Sequence, residues 1–290
     1  MAKALINGIQ VHYQQQGQGE PLVLVHGITS CLAQWYYKLF PELAKDYRVT
    51  IYDLRGHGLT EVTEHGYDSR NMALDLLGLL DHLGIERASF VGHSFGGPIA
   101  LHLALLRPER VKSVVLLDSG FACLRYLRLI ENWPGWKTHG KVLAMFGITL
   151  ERFLDVDRNQ DVSEIIRKSL TIPLQAGFRR GKVPLTPRLK KLVDETAMCS
   201  EFREVGELTE ENLAGIETPV YAVYGGTSPY EPMAAHLSKL MPNCRHESIQ
   251  GVDHFYAIEE PDLALPRMRA FLADPVGVLA SLDPAAATVS

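Results

Sequence analysis

The stretch GHSFGG, Gly92 to Gly97, sets a serine among glycines where an apolar run meets a helix-like segment. Its Gly92-x-Ser94-x-Gly96 core matches a nucleophile elbow, a strained strand-to-helix turn that exposes a serine hydroxyl while small flanking residues relieve crowding. Such a hydroxyl attacks a carbonyl carbon once a base takes its proton. The first turn of the following helix offers backbone N–H groups, and that of Phe95 can stabilise the resulting oxyanion. On these residues alone, a glycine-rich turn without chemistry is the competing reading. The 11 histidines include no HExxH pair and accompany no carboxylate cluster, so no metal is expected. Cys31, Cys123, Cys199 and Cys244 are far apart, form no CxxC pair and read as free thiols that mostly pack.

Positioning such a turn requires strands and helices in alternation. PLVLVHG (21–27), YRVTIYD (47–53), ASFVGHS (88–94) and VKSVVLLD (111–118) are continuous apolar runs, as strands buried on both faces of a parallel sheet must be. Between them, 69–84 places Met72, Leu76, Leu79, Leu80 and Leu83 on one helical stripe ending at Gly84, and 96–111 repeats the scheme with a stop at Arg107-Pro108. This rhythm predicts an α/β fold with a mostly parallel sheet flanked by helices. It breaks after Gly120, where aromatic and helix-like pieces replace strands, and resumes with TPVYAVYGG (218–226). The expected organisation is a core of 1–120 and 206–273, a helical cap at 121–205, and a mobile tail at 274–290 that is rich in Ala and Pro. The amino-terminal MAKALINGIQVHYQQQG alternates like a first strand.

Composition narrows the partners. A chain of 290 residues that is 46% hydrophobic and 22% charged can bury a sizeable core. Its formal net charge of -5 gives no electrostatic reason for a nucleic-acid partner. No window approaches the roughly 20 apolar residues of a membrane span, and the amino terminus lacks a signal-peptide pattern, so no membrane partner and a cytoplasmic setting are the default expectations. The oligomeric state is not encoded legibly, and a homodimer is compatible with the sequence.

Three further segments carry a resemblance that spans nearly the whole chain outside 121–205. HGITSCLAQW (26–35), DLRGHG (53–58) and GVDHFYAIEEP (251–261) occur in order with the elbow between them. As a set they resemble the α/β-hydrolase fold family, in its branch with a helical cap after strand 6. The resemblance implies Ser94 as nucleophile, His254 as general base, and the N–H groups of Ile28 and Phe95 as oxyanion hole. An imidazole has the right pKa for that base near neutral pH, and His254 follows a predicted last strand at the end of the sheet where ligands bind.

One departure stands out. Relatives of this branch read G-x-x-D-x-x-x-P at strand 7, whereas Gly225 to Pro232 reads GGTSPYEP, with Ser228 in the aspartate's place. Loss of that carboxylate costs on the order of 10⁴ in rate in a triad. Asp118, ending strand 6, is the preferred replacement, because strands 6 and 7 are neighbours in this fold. Glu231 is the rival, and a serine–histidine dyad or an inactive relic completes the alternatives. The cap aromatics Phe121, Tyr126, Trp133 and Trp136 are expected to line an apolar pocket with Trp35, or else to form the cap's own core. The basic run 179–191 reads as a solvated face, with an anionic docking surface as its alternative. The favoured function is a cofactor-free serine hydrolase acting on an ester, lactone or thioester, a small molecule with an apolar acyl part. The rivals are a cofactor-independent enzyme in which the histidine and its acid abstract a proton, and a ligand-binding relative with weak catalysis.

Overall fold

The computed structural model describes residues 2–128, 149 and 186–282. One sheet contains β1 (Ala2–Ile6), β2 (Ile9–Gln16), β3 (Pro21–Val25), β4 (Arg48–Tyr52), β5 (Ala88–His93), β6 (Val111–Leu117), β7 (Val220–Gly225) and β8 (Cys244–Ile249). Their order is β1-β2-β4-β3-β5-β6-β7-β8. Strands β3 to β8 pair in parallel, while β1 with β2 and β2 with β4 run antiparallel.

The amino-terminal segment, read as one strand, is a hairpin of two. Ile6 pairs with Ile9 across a turn in which Asn7 and Gly8 have φ of 47° and 81°. A two-residue turn of that hand matches strand twist, and Asn-Gly is its strongest sequence signal.

Helices α1 (Leu39–Leu43), α2 (Ser69–His82), α3 (Gly96–Leu106), α4 (Pro187–Asp194), α5 (Met198–Glu201), α6 (Glu210–Ala214), α7 (Glu231–Leu240), α8 (Tyr256–Glu259), α9 (Pro261–Ala273) and α10 (Pro275–Ser281), with 3-10 turns at Leu32–Trp35, Pro108–Arg110 and Ala122–Leu127, complete the described elements. Side chains of a strand alternate between faces. Val23, Val25 and Phe90 therefore join Leu76 of α2, Ile99 of α3 and Leu237 of α7 in one core. Leu22, Leu24 and Val91 join Phe40 of α1 and Phe271 of α9 in the other. Both faces are covered, which explains why the strand runs are continuous rather than alternating.

Helix α10 lies where a mobile tail was expected. Asp274 caps it by accepting the Gly277 N–H at 2.9 Å, and Leu279 is buried. Within 121–205 the described residues form a 3-10 turn (Ala122–Leu127), α4 and α5. Trp133, Trp136 and residues 179–185 of the basic run lie outside the described residues. Of the rest of that run, Arg188 donates to the Thr60 carbonyl and Lys190 pairs with Asp194. No described helix is long and apolar enough to cross a membrane.

Candidate active site

Ser94 follows β5 with φ of 53°, a left-handed value that a non-glycine residue holds only under constraint. The constraint is steric. A Cβ on Gly92 would lie 2.5 Å from the Gly96 carbonyl group, and one on Gly96 would lie 2.1 Å from the Val25 carbonyl oxygen. One on Gly27 would lie 2.9 Å from the Ser94 Cβ, so the loop after β3 presses directly against the serine. The Ser94 N–H donates to Leu117 O at 3.1 Å, extending the β5–β6 ladder by one residue. Among the described residues, the Ile28 N–H, the Phe95 N–H and Ser94 Oγ have no hydrogen-bond partner. A bond from Ser94 to His254 is thus not formed here; in resting sites such bonds are often long and tighten on substrate binding.

Two imidazoles pin the loop that faces the serine. His26 Nδ1 is 2.8 Å from Gly27 O, and its Nε2 accepts the Leu54 N–H at 3.0 Å. His57 repeats the pattern between Arg55 O at 2.7 Å and the Thr29 N–H at 3.0 Å. Each ring donates from Nδ1 and accepts at Nε2, which only the neutral form can do. Burial lowers the pKa of His26 and pushes that of His57 down to about 3. Asp53 joins the same region, accepting the Leu32 N–H at 2.8 Å and the Leu59 N–H at 2.8 Å, with His12 Nδ1 at 2.6 Å.

The candidate acid lies at the end of β6. Asp118 is fully buried and left-handed, with φ of 48°. Its Oδ1 is 2.8 Å from His254 Nδ1 and accepts the Ser228 hydroxyl at 2.5 Å, while its Oδ2 accepts the Gly225 N–H at 2.7 Å. Ser228 therefore donates to a carboxylate from the position where relatives carry one. The Nδ1–H of His254 donates to Asp118, which leaves Nε2 as the basic nitrogen. Rings of Tyr230, Phe255 and His93 surround the imidazole at centroid distances of 4.9, 4.8 and 5.1 Å. Glu231 is elsewhere: as the first residue of α7 it accepts the Ser248 hydroxyl at 2.6 Å.

Sequence comparison bears on this arrangement. The profile of the alpha/beta hydrolase fold matches residues 20–145. A soluble epoxide hydrolase of Corynebacterium sp. (strain C12) is 38% identical over 298 residues, covering 93% of this chain and 96% of that protein. The chain belongs to the α/β-hydrolase fold family. This α/β-hydrolase is also 41% identical over 187 residues to a 2-hydroxymuconate semialdehyde hydrolase of Pseudomonas sp. (strain CF600), covering 62% of this chain and 63% of that one. The fold recurs in the crystal structure of the enol-lactonase from Burkholderia xenovorans LB400, with a TM-score of 0.65, 22% identity, and coverage of 94% of this chain and 100% of that one. The relatives are named hydrolases, and the protein is an α/β-hydrolase enzyme.

Of the described residues expected to line an apolar pocket, Phe121 borders a small cavity and Trp35 and Tyr126 do not. Phe121 lines a cavity of about 20 Å³ with Phe95, Pro98, Phe202 and Leu208, and with Ser69 at its polar side. Trp35 does not reach it, because the turn Leu32–Trp35 carries the indole into the core on the α9 face, where it is fully buried. Tyr126 is 62% exposed and donates to Glu210 Oε1 at 2.9 Å. His93, expected from the sequence to face away from the cleft or line its wall, makes a contact that the sequence did not foretell. Its Nε2 donates to the His254 carbonyl at 3.1 Å, tying the residue before Ser94 to the backbone of His254. Burial pushes its pKa down to about 3, and its Nδ1 has no partner among the described residues. No local signal announces a contact between residues so far apart in the chain. Among the described residues no group of His, Cys, Asp and Glu could hold a metal ion.

Proposed function

We propose that this α/β-hydrolase cleaves a carboxylic ester, lactone or thioester by a serine acyl-enzyme mechanism. The observation that carries the reading is the 2.8 Å contact between Asp118 Oδ1 and His254 Nδ1 beside a serine held left-handed at the elbow. His254 Nε2 takes the Ser94 proton as Oγ attacks the carbonyl carbon, and returns it to the leaving oxygen or sulfur. Water, activated by the same nitrogen, then releases the acid. Asp118 orients the ring and stabilises the imidazolium formed at each attack. The Ile28 and Phe95 N–H groups, unengaged and flanking Ser94, receive the oxyanion.

A serine at the elbow also argues against epoxide opening, despite the name of one relative. A serine oxygen attacking an epoxide carbon would form an ether, which has no carbonyl for water to attack, so turnover would stop. In the chain, residues 121–205 stand between β6 and its sheet neighbour β7, which supports their role as a cap over Ser94, with 1–120 and 206–273 as the core. The substrate in this reading is a small molecule with an apolar acyl part, and no metal or organic cofactor takes part.

The test is the rate at which a fluorophosphonate modifies Ser94, followed by intact mass in the wild type and in Asp118→Asn. A fall on the order of 10³-fold or more, with circular dichroism unchanged, is expected. Equal rates would overturn the assignment of Asp118. Substantial activity retained by Ser94→Ala would instead favour proton abstraction by His254 and Asp118.

A further inference from the structure

The cavity beside Phe95 contains a polar group that acyl transfer does not use. Ser69, the first residue of α2, lines it and is 4% exposed. Its Oγ lies 3.0 Å from Nδ1 of His102, a fully buried residue of α3. His102 Nε2 is 3.1 Å from Glu207 Oε2, which the Arg70 guanidinium also meets at 3.0 Å. The hydrogen bond with His102, ahead of the Arg70 charge, holds the Glu207 carboxyl below its ordinary range, so the carboxylate accepts and Nε2–H donates. In the neutral ring Nδ1 then bears a lone pair and takes the Ser69 O–H. Every bond of this relay runs in one direction. In that form Ser69 Oγ has no proton left for the cavity and is reached by no donor among the described residues.

The cavity adjoins the chemistry. Phe95 follows the nucleophile, and Gly120, another lining residue, backs so closely on Tyr230 that a Cβ there would lie 2.7 Å from the ring that packs on His254. About 20 Å³ is room for one water-sized group. A hydroxyl fits this space and can donate to Ser69 Oγ, a second hydrogen bond that a methyl in the same place would forgo. The carboxylate of Glu204 at the rim disfavours an anionic end.

Building on the acyl-enzyme reading, we propose that this cavity is the far end of the acyl subsite and that Ser69 selects an acyl chain bearing a hydroxyl group, which donates to its Oγ. The same logic applies to sites that hydrogen-bond a substrate hydroxyl and discriminate against the analogue lacking it.

The experiment compares kcat/KM of the full-length protein on methyl hexanoate and on its 3-hydroxy and 6-hydroxy derivatives, for the wild type, Ser69→Ala and the near-isosteric Ser69→Cys. The wild type is expected to prefer one hydroxylated ester by about tenfold or more, a preference that falls to near unity in both variants. Absence of the preference in the wild type, or its survival in both variants, would overturn the proposal. Fluorophosphonate labelling of Ser94 on the same samples separates the two readings. If Ser94 labels and the preference is missing, the subsite alone falls. If Ser94 does not label, the acyl enzyme falls, and the subsite is decided by calorimetric titration of 3-hydroxyhexanoate and 6-hydroxyhexanoate against hexanoate: tighter binding of a hydroxy acid by the wild type but not by Ser69→Ala supports it, and equal binding overturns it.

Discussion

The two halves of the candidate site are held by different forces. On one side, Ser94, the proposed nucleophile, is fixed by exclusion: Gly27, Gly92 and Gly96 leave no space for a Cβ, and neighbouring backbone closes around the serine. On the acid side, Asp118 is fixed by attraction, through the Ser228 hydroxyl, the Gly225 N–H and the His254 ring. Steric fixing tolerates almost no substitution, because repulsion rises steeply at short range. Hydrogen-bonded fixing is divisible, since one donor of several can be removed and the rest retained. The glycines of the elbow are therefore legible as a motif in one short stretch, whereas the partners of Asp118 come from two separate parts of the chain, 225–228 and His254.

Substitution should expose this contrast. Gly96→Ala forces a methyl to 2.1 Å from a backbone oxygen and is expected to lower stability by at least about 3 kcal/mol, read from urea midpoints, and to abolish Ser94 labelling. A stability loss below about 1 kcal/mol would show that the elbow is more yielding than its packing indicates. Ser228→Ala removes one donor to a charged group, a loss of about 1.5–3 kcal/mol by general experience. The expectation is a kcat lower by about tenfold to a hundredfold with KM little changed, and recovery in Ser228→Thr. An unchanged kcat would mean that the remaining contacts hold Asp118 by themselves.

The loop on the nucleophile side adds a dependence on pH. His57 and His93 have pKa values of about 3 in the folded protein, and His26 is lowered as well, all through burial. Rings that stay neutral when folded but take up protons when unfolded give stability that is complete above about pH 6.5 and lost as pH falls towards 3. Each contributes a slope of at most about 1.4 kcal/mol per pH unit in that window. Urea unfolding at pH 7, 6 and 5 should show this decline, flattened by one histidine's share in His57→Gln. A flat profile in the wild type would mean that these rings titrate normally.

Much of this was readable in the sequence, for reasons that particular residues make plain. Buried parallel strands such as 21–25 and 88–93 must be apolar on both faces, and an elbow must have glycine where backbone meets backbone. The hairpin at Asn7-Gly8 was equally legible but is easily overlooked inside an alternating run. Asp118 could be inferred only as a preference, since the choice between it and Glu231 turns on which acid the strand order carries to His254. The Ser69–His102–Glu207 relay and the hold of His93 on His254 were not legible, because nothing local distinguishes a buried histidine that relays hydrogen bonds from one that packs. Trp35 misled for a related reason: its position in the chain is close to the site, but a single turn of backbone sends its ring to the opposite face of the sheet.

Ser94 and Asp118 are each the residue immediately after their strand, on neighbouring strands in register, and both have positive φ. Left-handed backbone costs a side-chain-bearing residue about 1–2 kcal/mol, a cost from which glycine is largely exempt. At Ser94, whose hydroxyl has no partner among the described residues, glycine would thus be a gain in stability that erases the proposed nucleophile, whereas at Asp118 the three hydrogen bonds of the carboxylate outweigh the strain. A side chain at Ser94 thus carries a backbone cost that only its proposed chemistry offsets, whereas Asp118 recovers its own cost through the contacts it makes.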